Sequence, residues 1–109
     1  KSRVLDPCCG SGAFLVRAMT DAMDDCDTED EREEVKKNQI FGIEYEEGAF
    51  GLSSTNMLIH GDGNSNVVQD SMFKRAKWIE ENNINIVLMN PPRNTKCSVA
   101  FFCYFLMAF

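Results

Sequence analysis

The sequence contains few of the residues from which a metal site is built. It has one histidine, His60, and its five cysteines include no Cys-x-x-Cys pair. Structural zinc sites draw their ligands from such closely spaced pairs, so a zinc site is excluded. The acidic segment Asp21–Glu34 lacks the alternating ligand spacing of a calcium loop. We therefore expect no bound metal, and we interpret this segment as a solvated turn followed by a polar helix.

A basic surface is also missing. Lysine and arginine number 11 against 17 aspartates and glutamates, which gives a net charge of −6. This balance excludes a chain whose bulk surface neutralises the phosphates of DNA. If the chain acts on DNA, we expect the electrostatic contact to come from another domain or another subunit.

No apolar run is long enough to cross a membrane. The run Val99–Phe109 has eleven residues, whereas a spanning helix needs about 20. Its apolar character on all sides is typical of a buried helix. An odd number of cysteines and the absence of a signal peptide predict a reducing, cytoplasmic environment.

The sequence does contain a strand, a glycine turn and a helix in succession. Val4-Leu5 is typical of a buried strand, which Asp6-Pro7 ends because proline cannot continue a central ladder. Gly10 and Gly12 mark a tight turn, and a helix is predicted from Ala13. Its apolar positions are Leu15, Ala18, Met19 and Ala22. A ligand can approach the bare backbone of such a turn, although an ordinary strand-to-helix connection shows the same pattern.

Three further strands are predicted, with helices between them. The strands are Ile40–Tyr45, Asn66–Gln69 and Ile84–Met89. A length of 109 residues predicts one domain at most. The alternation of strands and helices predicts a doubly wound parallel α/β sheet.

The segments between the strands carry helical signals. Thr28 and Glu31 form a capping-box signature, and Glu46–Ile59 is predicted to be helical. His60–Ser65 is a loop rich in turn formers. The last predicted helix places Met72, Ala76 and Ile79 on one face, with Trp78 packed beside them.

Polar residues follow the predicted strands. Glu44 stands at the carboxyl end of the second strand, where ligands bind in open α/β sheets. A carboxylate there can accept hydrogen bonds from both hydroxyls of a ribose, although a surface glutamate can also end a strand. Asp70 follows the third strand, and Asn90-Pro91-Pro92 follows the fourth.

This order of motifs resembles the S-adenosylmethionine-dependent amino-methyltransferases, and most closely the N6-adenine DNA methyltransferases. Leu-Ile-His-Gly at 58–61 and Asp-Pro-Cys-Cys-Gly-Ser-Gly-Ala-Phe-Leu at 6–15 are similar to the modification subunit of type I restriction-modification systems. The resemblance runs from Val4 to about Arg93. It implies a Rossmann-like methyltransferase fold that is incomplete here. Residues 1–109 would form a fragment with the first four strands, the N-terminal half of the sheet, ending after the Asn-Pro-Pro motif.

The resemblance also implies which residues bind S-adenosylmethionine. They are Asp6, Pro7, Gly10, Ser11, Gly12, Phe14, Glu44 and Asp70. Asp70 is preferred to Asp62 for the contact to the cofactor adenine, because the family's acid follows the third strand. Asp70 can serve at the same time as the N-cap of the next helix.

The resemblance places catalysis at Asn90, Pro91, Pro92 and Arg93. The lone pair of a nucleobase amine is delocalised, and two acceptors that hold its hydrogens favour a more tetrahedral nitrogen. The Asn90 side-chain carbonyl and the Pro91 backbone carbonyl can be these acceptors, preorganised by the prolines. A base in a duplex must flip out to reach them. The family usually has an aromatic residue after the prolines, so Arg93 predicts weaker stacking on that base.

The function implied is methyl transfer from S-adenosylmethionine to the N6 amine of adenine in DNA. Two alternatives stay open. Enzymes that methylate a protein glutamine or an rRNA guanine amine use a similar Asn-Pro-Pro turn, and a catalytically inactive binding module would keep the same fold. The type I resemblance implies DNA, a specificity subunit and a restriction subunit as partners, with two copies of the modification subunit. It implies no membrane and no metal.

Overall fold

The computed structural model describes residues 2–61 and 66–90. Asp62, Pro91, Pro92, Arg93 and the segment Val99–Phe109 lie outside the described residues. The elements in chain order are β1 (Val4–Asp6), α1 (Ala13–Asp24), α2 (Glu29–Asn38), β2 (Ile40–Glu44), α3 (Glu47–Ile59), β3 (Asn66–Gln69), a 3-10 turn (Met72–Lys74), α4 (Ala76–Glu81) and β4 (Ile86–Val87).

The four strands form one parallel sheet in the order β3-β2-β1-β4. Helical segments connect each strand to the next along the chain, and all three strand pairs are parallel, so the carboxyl ends of the four strands lie at one edge. The predicted doubly wound parallel sheet is confirmed, because helices cover both of its faces.

The side chains of β1, β2 and β3 alternate between two cores. Ile40 of β2 joins the core formed with α1, α2 and α3, whose buried members include Leu15, Met19, Val35 and Met57. Phe41 and Ile43 point to the opposite core, which contains Met72 and Ile79. This alternation is the period of two expected of a strand buried on both faces.

Trp78 packs in the second core, as predicted. Its ring lies edge-on to that of Phe41, with the two centroids 5.9 Å apart. This geometry is a favourable arrangement for an aromatic pair.

Two predicted helix starts are confirmed in detail. The Thr28 side chain accepts a hydrogen bond from the Glu31 backbone N–H, and the Glu31 carboxylate accepts one from the Thr28 N–H. Glu46 is the N-cap of α3 and accepts hydrogen bonds from Gly48 and Ala49. A carboxylate in this position is favoured by the free N–H groups and by the helix dipole.

The last predicted helix is interrupted, which corrects the sequence-based interpretation. A 3-10 turn ends at Lys74 and α4 begins at Ala76, with Arg75 between them at φ −112° and ψ 15°. The Arg75 backbone is not helical here, and its Nε atom donates a hydrogen bond to the Asp70 carboxylate. Met72 and Ile79 are buried as predicted, but Ala76 is exposed.

The fourth strand is also shorter than predicted. Only Ile86–Val87 has strand geometry, although the Leu88 N–H still donates to the Leu5 carbonyl. The pairing stops there because β1 itself ends before Pro7. Within the described sheet β4 is at the end of the strand order, so Ile86 and Leu88 are 39% and 37% exposed instead of buried.

Among residues 2–61 and 66–90, no helix has the length and apolar character needed to cross a membrane.

Candidate active site

The loop between β1 and α1 has the backbone that its glycines predict. Gly10 and Gly12 have φ values of +55° and +83°, in the left-handed region that favours glycine. A Cβ at Gly12 would lie 3.2 Å from the Ser53 Cβ atom, so this glycine lets α1 start close to α3. A Cβ at Gly10 would meet no atom within 4 Å. One side of the Gly10 backbone is therefore open to a ligand.

Glu44 holds this loop from the neighbouring strand. Its Oε1 atom accepts a hydrogen bond of 3.1 Å from the Gly10 N–H, and its Oε2 atom accepts one of 3.1 Å from the Glu46 N–H. Because β1 and β2 are adjacent and parallel, the carboxyl end of β2 lies beside the glycine turn. The predicted ribose-binding carboxylate and the predicted glycine loop are thus brought together.

Asp6 is the most buried acid of the site, with 2% of its surface exposed. Burial raises its pKa from the ordinary 3.8 to about 6, and the nearby Glu44 charge adds to this shift. Its Oδ1 atom accepts a hydrogen bond of 3.1 Å from the Cys8 N–H, which acts in the opposite direction. Above this pKa the Asp6 carboxylate is negatively charged beside the loop, which favours a cationic ligand.

Asp70 follows β3, as predicted, and lies next to Glu44 of β2. Its N–H donates to the Glu44 carbonyl at 3.1 Å, which continues the pairing of β2 with β3. Its carboxylate accepts 2.8 Å hydrogen bonds from the Ser71 N–H and from the Arg75 Nε atom. These bonds hold the Asp70 pKa below its ordinary value, the Ser71 backbone contributing most. Asp70 is not a helix cap, because Ser71 takes the N-cap position of the 3-10 turn.

The two adjacent cysteines have different surroundings. Cys9 is 6% exposed and packs in the α1 core. Cys8 is half-buried, and its Sγ atom donates a hydrogen bond to the Asn90 backbone carbonyl at 3.5 Å. Burial raises the pKa of both thiols to about 12, so both are neutral thiols at physiological pH.

An open pocket of about 250 Å³ joins the loop to the end of β4. The described residues that line it are Asp6, Cys8, Cys9, Gly10, Ser11, Ala13, Phe14 and Asn90. Phe14 is 48% exposed at its edge, while Pro7 is buried behind the loop. Glu44 and Asp70 do not line this pocket. They lie at the same edge of the sheet, where Gly10 contacts Glu44 and Glu44 contacts Asp70. The structure thus places Asn90, the first residue of the predicted catalytic turn, beside the predicted cofactor loop.

Sequence reasoning missed three residues that shape this site. Arg75 pairs with Asp70, Asn56 of α3 donates a hydrogen bond of 2.7 Å to the Ser11 carbonyl, and Cys8 contacts Asn90. The contacts of Asn56 and Cys8 join residues 45 and 82 positions apart, so no local pattern identifies them. Arg75 pairs with Asp70 only five positions earlier, and this contact accompanies the break between the 3-10 turn and α4. Across residues 2–61 and 66–90, no group of three or more His, Cys, Asp or Glu side chains is arranged to hold a metal ion.

Comparison with known proteins gives consistent matches. The family model described as N-6 DNA Methylase matches residues 1–100. The chain is 42% identical over 90 residues to the type II restriction enzyme and methyltransferase RM.BcgI of Heyndrickxia coagulans, covering 82% of this chain and 14% of that protein. It is 29% identical over 92 residues to the type I restriction enzyme EcoEI methylase subunit of Escherichia coli, covering 82% of this chain and 18% of the subunit.

A solved structure agrees with these matches. It is the crystal structure of a modification subunit assigned to a type I restriction enzyme of Vibrio vulnificus YJ016, with a TM-score of 0.71 and 30% identity. The match covers 84% of this chain and 19% of that one, so the chain spans less than a fifth of the length of these relatives. The predicted methyltransferase fold is thereby confirmed. From the family model, the sequence identities and the shared fold together, the chain belongs to the N-6 DNA methylase family.

Proposed function

We propose that residues 1–109 are part of the cofactor-binding and catalytic domain of an adenine-N6 DNA methyltransferase, within a restriction-modification system. The observation that carries this proposal is the shared pocket of the β1–α1 loop and Asn90. A methyl donor held by the loop and an amine held by Asn90 would meet there. The names of the relatives, which are restriction-modification methylases, support the same reaction.

S-adenosylmethionine is the methyl donor that we propose, and the residues present fit it. The open backbone at Gly10 leaves room for a ligand, and the carboxylates of Asp6 and Glu44 suit a cationic one. Glu44 would accept hydrogen bonds from the ribose and Asp70 would contact the adenine, with Pro7, Ser11, Gly12 and Phe14 completing the contact surface. When bound, the cofactor supplies a methyl group on a positively charged sulfur.

The catalytic role that we propose for Asn90 is to bind the target amine. Its side-chain carbonyl would accept a hydrogen bond from the N6 amine of a flipped adenine and so favour the reactive geometry of the nitrogen. Attack on an already charged donor would need no metal and no nucleophilic side chain. The methylated nitrogen would then lose one proton to solvent, and catalysis consists mainly of alignment. Pro91, Pro92 and Arg93 are proposed to complete this turn.

The test is the substitution Asn90→Ala in the full-length protein. We expect methyl transfer to DNA to fall by at least about 100-fold, the loss typical of removing one preorganised hydrogen-bonding group. Cofactor affinity should change little, because Asn90 would contact the base. Asn38→Ala removes a half-buried asparagine at the end of α2, whose amide donates a hydrogen bond to Glu34, and is the matched control.

Labelled methyl transfer should be measured on DNA, RNA and protein side by side. Labelling of DNA by the wild type that Asn90→Ala abolishes and Asn38→Ala preserves would support the proposal. Transfer to protein or RNA alone, or an active Asn90→Ala variant, would contradict it.

We further propose DNA, a specificity subunit and a restriction subunit as partners of the whole protein. The type I relatives support separate subunits. The net charge of −6 supports the same view, since this segment offers little attraction for phosphates. Isolation of the native protein with or without such subunits tests this proposal directly.

A further inference from the structure

The end of β4 is held by few contacts near the residue proposed to bind the target base. The last ladder bond of this strand runs from the Leu88 N–H to the Leu5 carbonyl at 2.9 Å. Asn90 lies two residues further on and is exposed. Among the described residues, its hydrogen bond comes from the Cys8 Sγ atom. The orientation of Asn90 relative to the loop therefore depends on Cys8.

The backbone of Cys8 is held in the loop by a hydrogen bond. Its backbone N–H donates to the buried Asp6 carboxylate at 3.1 Å. The side chain then crosses the pocket to the Asn90 backbone carbonyl, over a separation of 82 positions in the sequence. The bond uses the backbone oxygen of Asn90, so the side-chain amide stays available for a base.

The protonation state of Cys8 suits this role. A thiol can donate a hydrogen bond and a thiolate cannot. Burial and the charges of Asp6 and Glu44 raise the Cys8 pKa to about 12, so the proton is retained. The same surroundings make Cys8 a poor nucleophile, which argues against a redox or covalent role.

We propose that Cys8 is a positioning residue that ties the cofactor loop to the catalytic turn and sets the distance between methyl donor and target amine. The inference rests on the proposed function, since it assigns Cys8 a part in the same site. Misplacing a reacting group by a fraction of an ångström lowers the rate of the chemical step more than it lowers binding. Cys8 acts through Asn90, so removing the thiol should change kcat and leave cofactor affinity nearly unchanged.

The experiment compares Cys8→Ala, Cys8→Ser and Cys26→Ala in the full-length protein. A hydrogen bond worth about 1 kcal/mol predicts a fall in kcat of about fivefold for Cys8→Ala, with the cofactor Kd within about twofold of the wild type. Cys8→Ser keeps a donor and should give a kcat between those of the wild type and Cys8→Ala. Cys26 follows α1 and its thiol donates to the Ala22 carbonyl of that helix, so Cys26→Ala is the matched control.

Hydrogen exchange supplies a readout that does not depend on activity. The amides of residues 88–90 should exchange faster in Cys8→Ala than in the wild type or in Cys26→Ala, because the turn has lost its tie to the loop. Equal exchange in all three proteins, or equal kcat for Cys8→Ala and the wild type, would overturn the inference. So would a Cys8→Ser variant no faster than Cys8→Ala. A wild type that methylates no DNA would instead refute the proposed function, and the exchange measurement would still decide the role of Cys8.

Discussion

At the scale of single residues, the site is dominated by acids whose surroundings make them titrate differently. Asp6 is buried and its pKa is raised to about 6, whereas Asp70 is held ionised by Ser71 and Arg75. The pKa values of two carboxyl groups at one edge of the sheet are thus shifted in opposite directions. The different environments, and not the residue type, decide which of them changes charge near neutral pH.

The raised pKa of Asp6 makes the stability of the fold depend on pH. Between about pH 4 and pH 6 the folded chain binds a proton at Asp6 that the unfolded chain has released. The free energy of unfolding therefore falls as the pH rises through this range, by about 3 kcal/mol from this group. Asp6→Asn removes the ionisation and keeps an oxygen for the Cys8 N–H. Its stability relative to the wild type should increase from pH 4 to pH 7.

Urea unfolding of the full-length protein at several pH values measures this effect. Asp24→Asn, at the exposed end of α1, is the control and should show the same pH profile as the wild type. A profile for Asp6→Asn that also parallels the wild type would show that Asp6 does not carry the raised pKa.

At the scale of elements, the packing of α1 against the sheet depends on the lack of a side chain at Gly42. A Cβ at this position would lie 2.5 Å from the Leu15 Cδ1 atom and 3.3 Å from the Cys9 Sγ atom. Leu15 is fully buried and has little space to move. The helix that begins the candidate site can therefore lie close to β2 only because β2 carries a glycine there.

Gly42→Ala and Gly51→Ala should change stability in opposite directions. Gly42→Ala overpacks the α1 core and is expected to destabilise the fold by about 1–3 kcal/mol. Gly51 lies within α3 with open space around its position, so an alanine there should stabilise the helix by up to about 1 kcal/mol. Thermal unfolding of the two variants beside the wild type measures both effects. A Gly42→Ala variant as stable as Gly51→Ala would show that α1 can move away from the sheet at little cost.

At the scale of the whole molecule, cofactor binding should stabilise the fold through residues on three strands. The glycine loop follows β1, Glu44 ends β2 and Asp70 follows β3, so one ligand would contact all three. A ligand present at 100 times its Kd adds about 2.7 kcal/mol to the free energy of unfolding. We expect S-adenosylmethionine to raise the Tm of the full-length protein, and Glu44→Ala and Asp70→Ala to reduce that rise.

Two controls make this measurement specific. Glu47→Ala removes an exposed acid of α3 near the site and should leave the ligand-induced rise in Tm unchanged. Asp62→Ala distinguishes the two candidate acids for the adenine contact, and it should also keep the full rise. A rise that Asp62→Ala abolishes and Asp70→Ala preserves would transfer the adenine contact to Asp62.

Local patterns in the sequence determined most elements of this protein, and the tertiary structure decided how they act together. The glycine turn, the Thr28 capping box and the strands through Glu44 and Gln69 follow from backbone preferences and periodicity, which neighbouring residues set. The break at Arg75 and the short β4 differ from the prediction. The break accompanies a hydrogen bond from Arg75 to Asp70, five positions earlier, and the length of β1 limits the pairing of β4.

The contacts within the candidate site could not be predicted from the sequence, because they join residues that are far apart in the chain. The hydrogen bonds from Gly10 to Glu44 and from Cys8 to Asn90 join residues 34 and 82 positions apart. Such pairs form only because parallel strands bring their carboxyl ends to one edge of the sheet. The sequence by itself determined which residue types stand at those ends. The order of the strands in the sheet decided which of them meet.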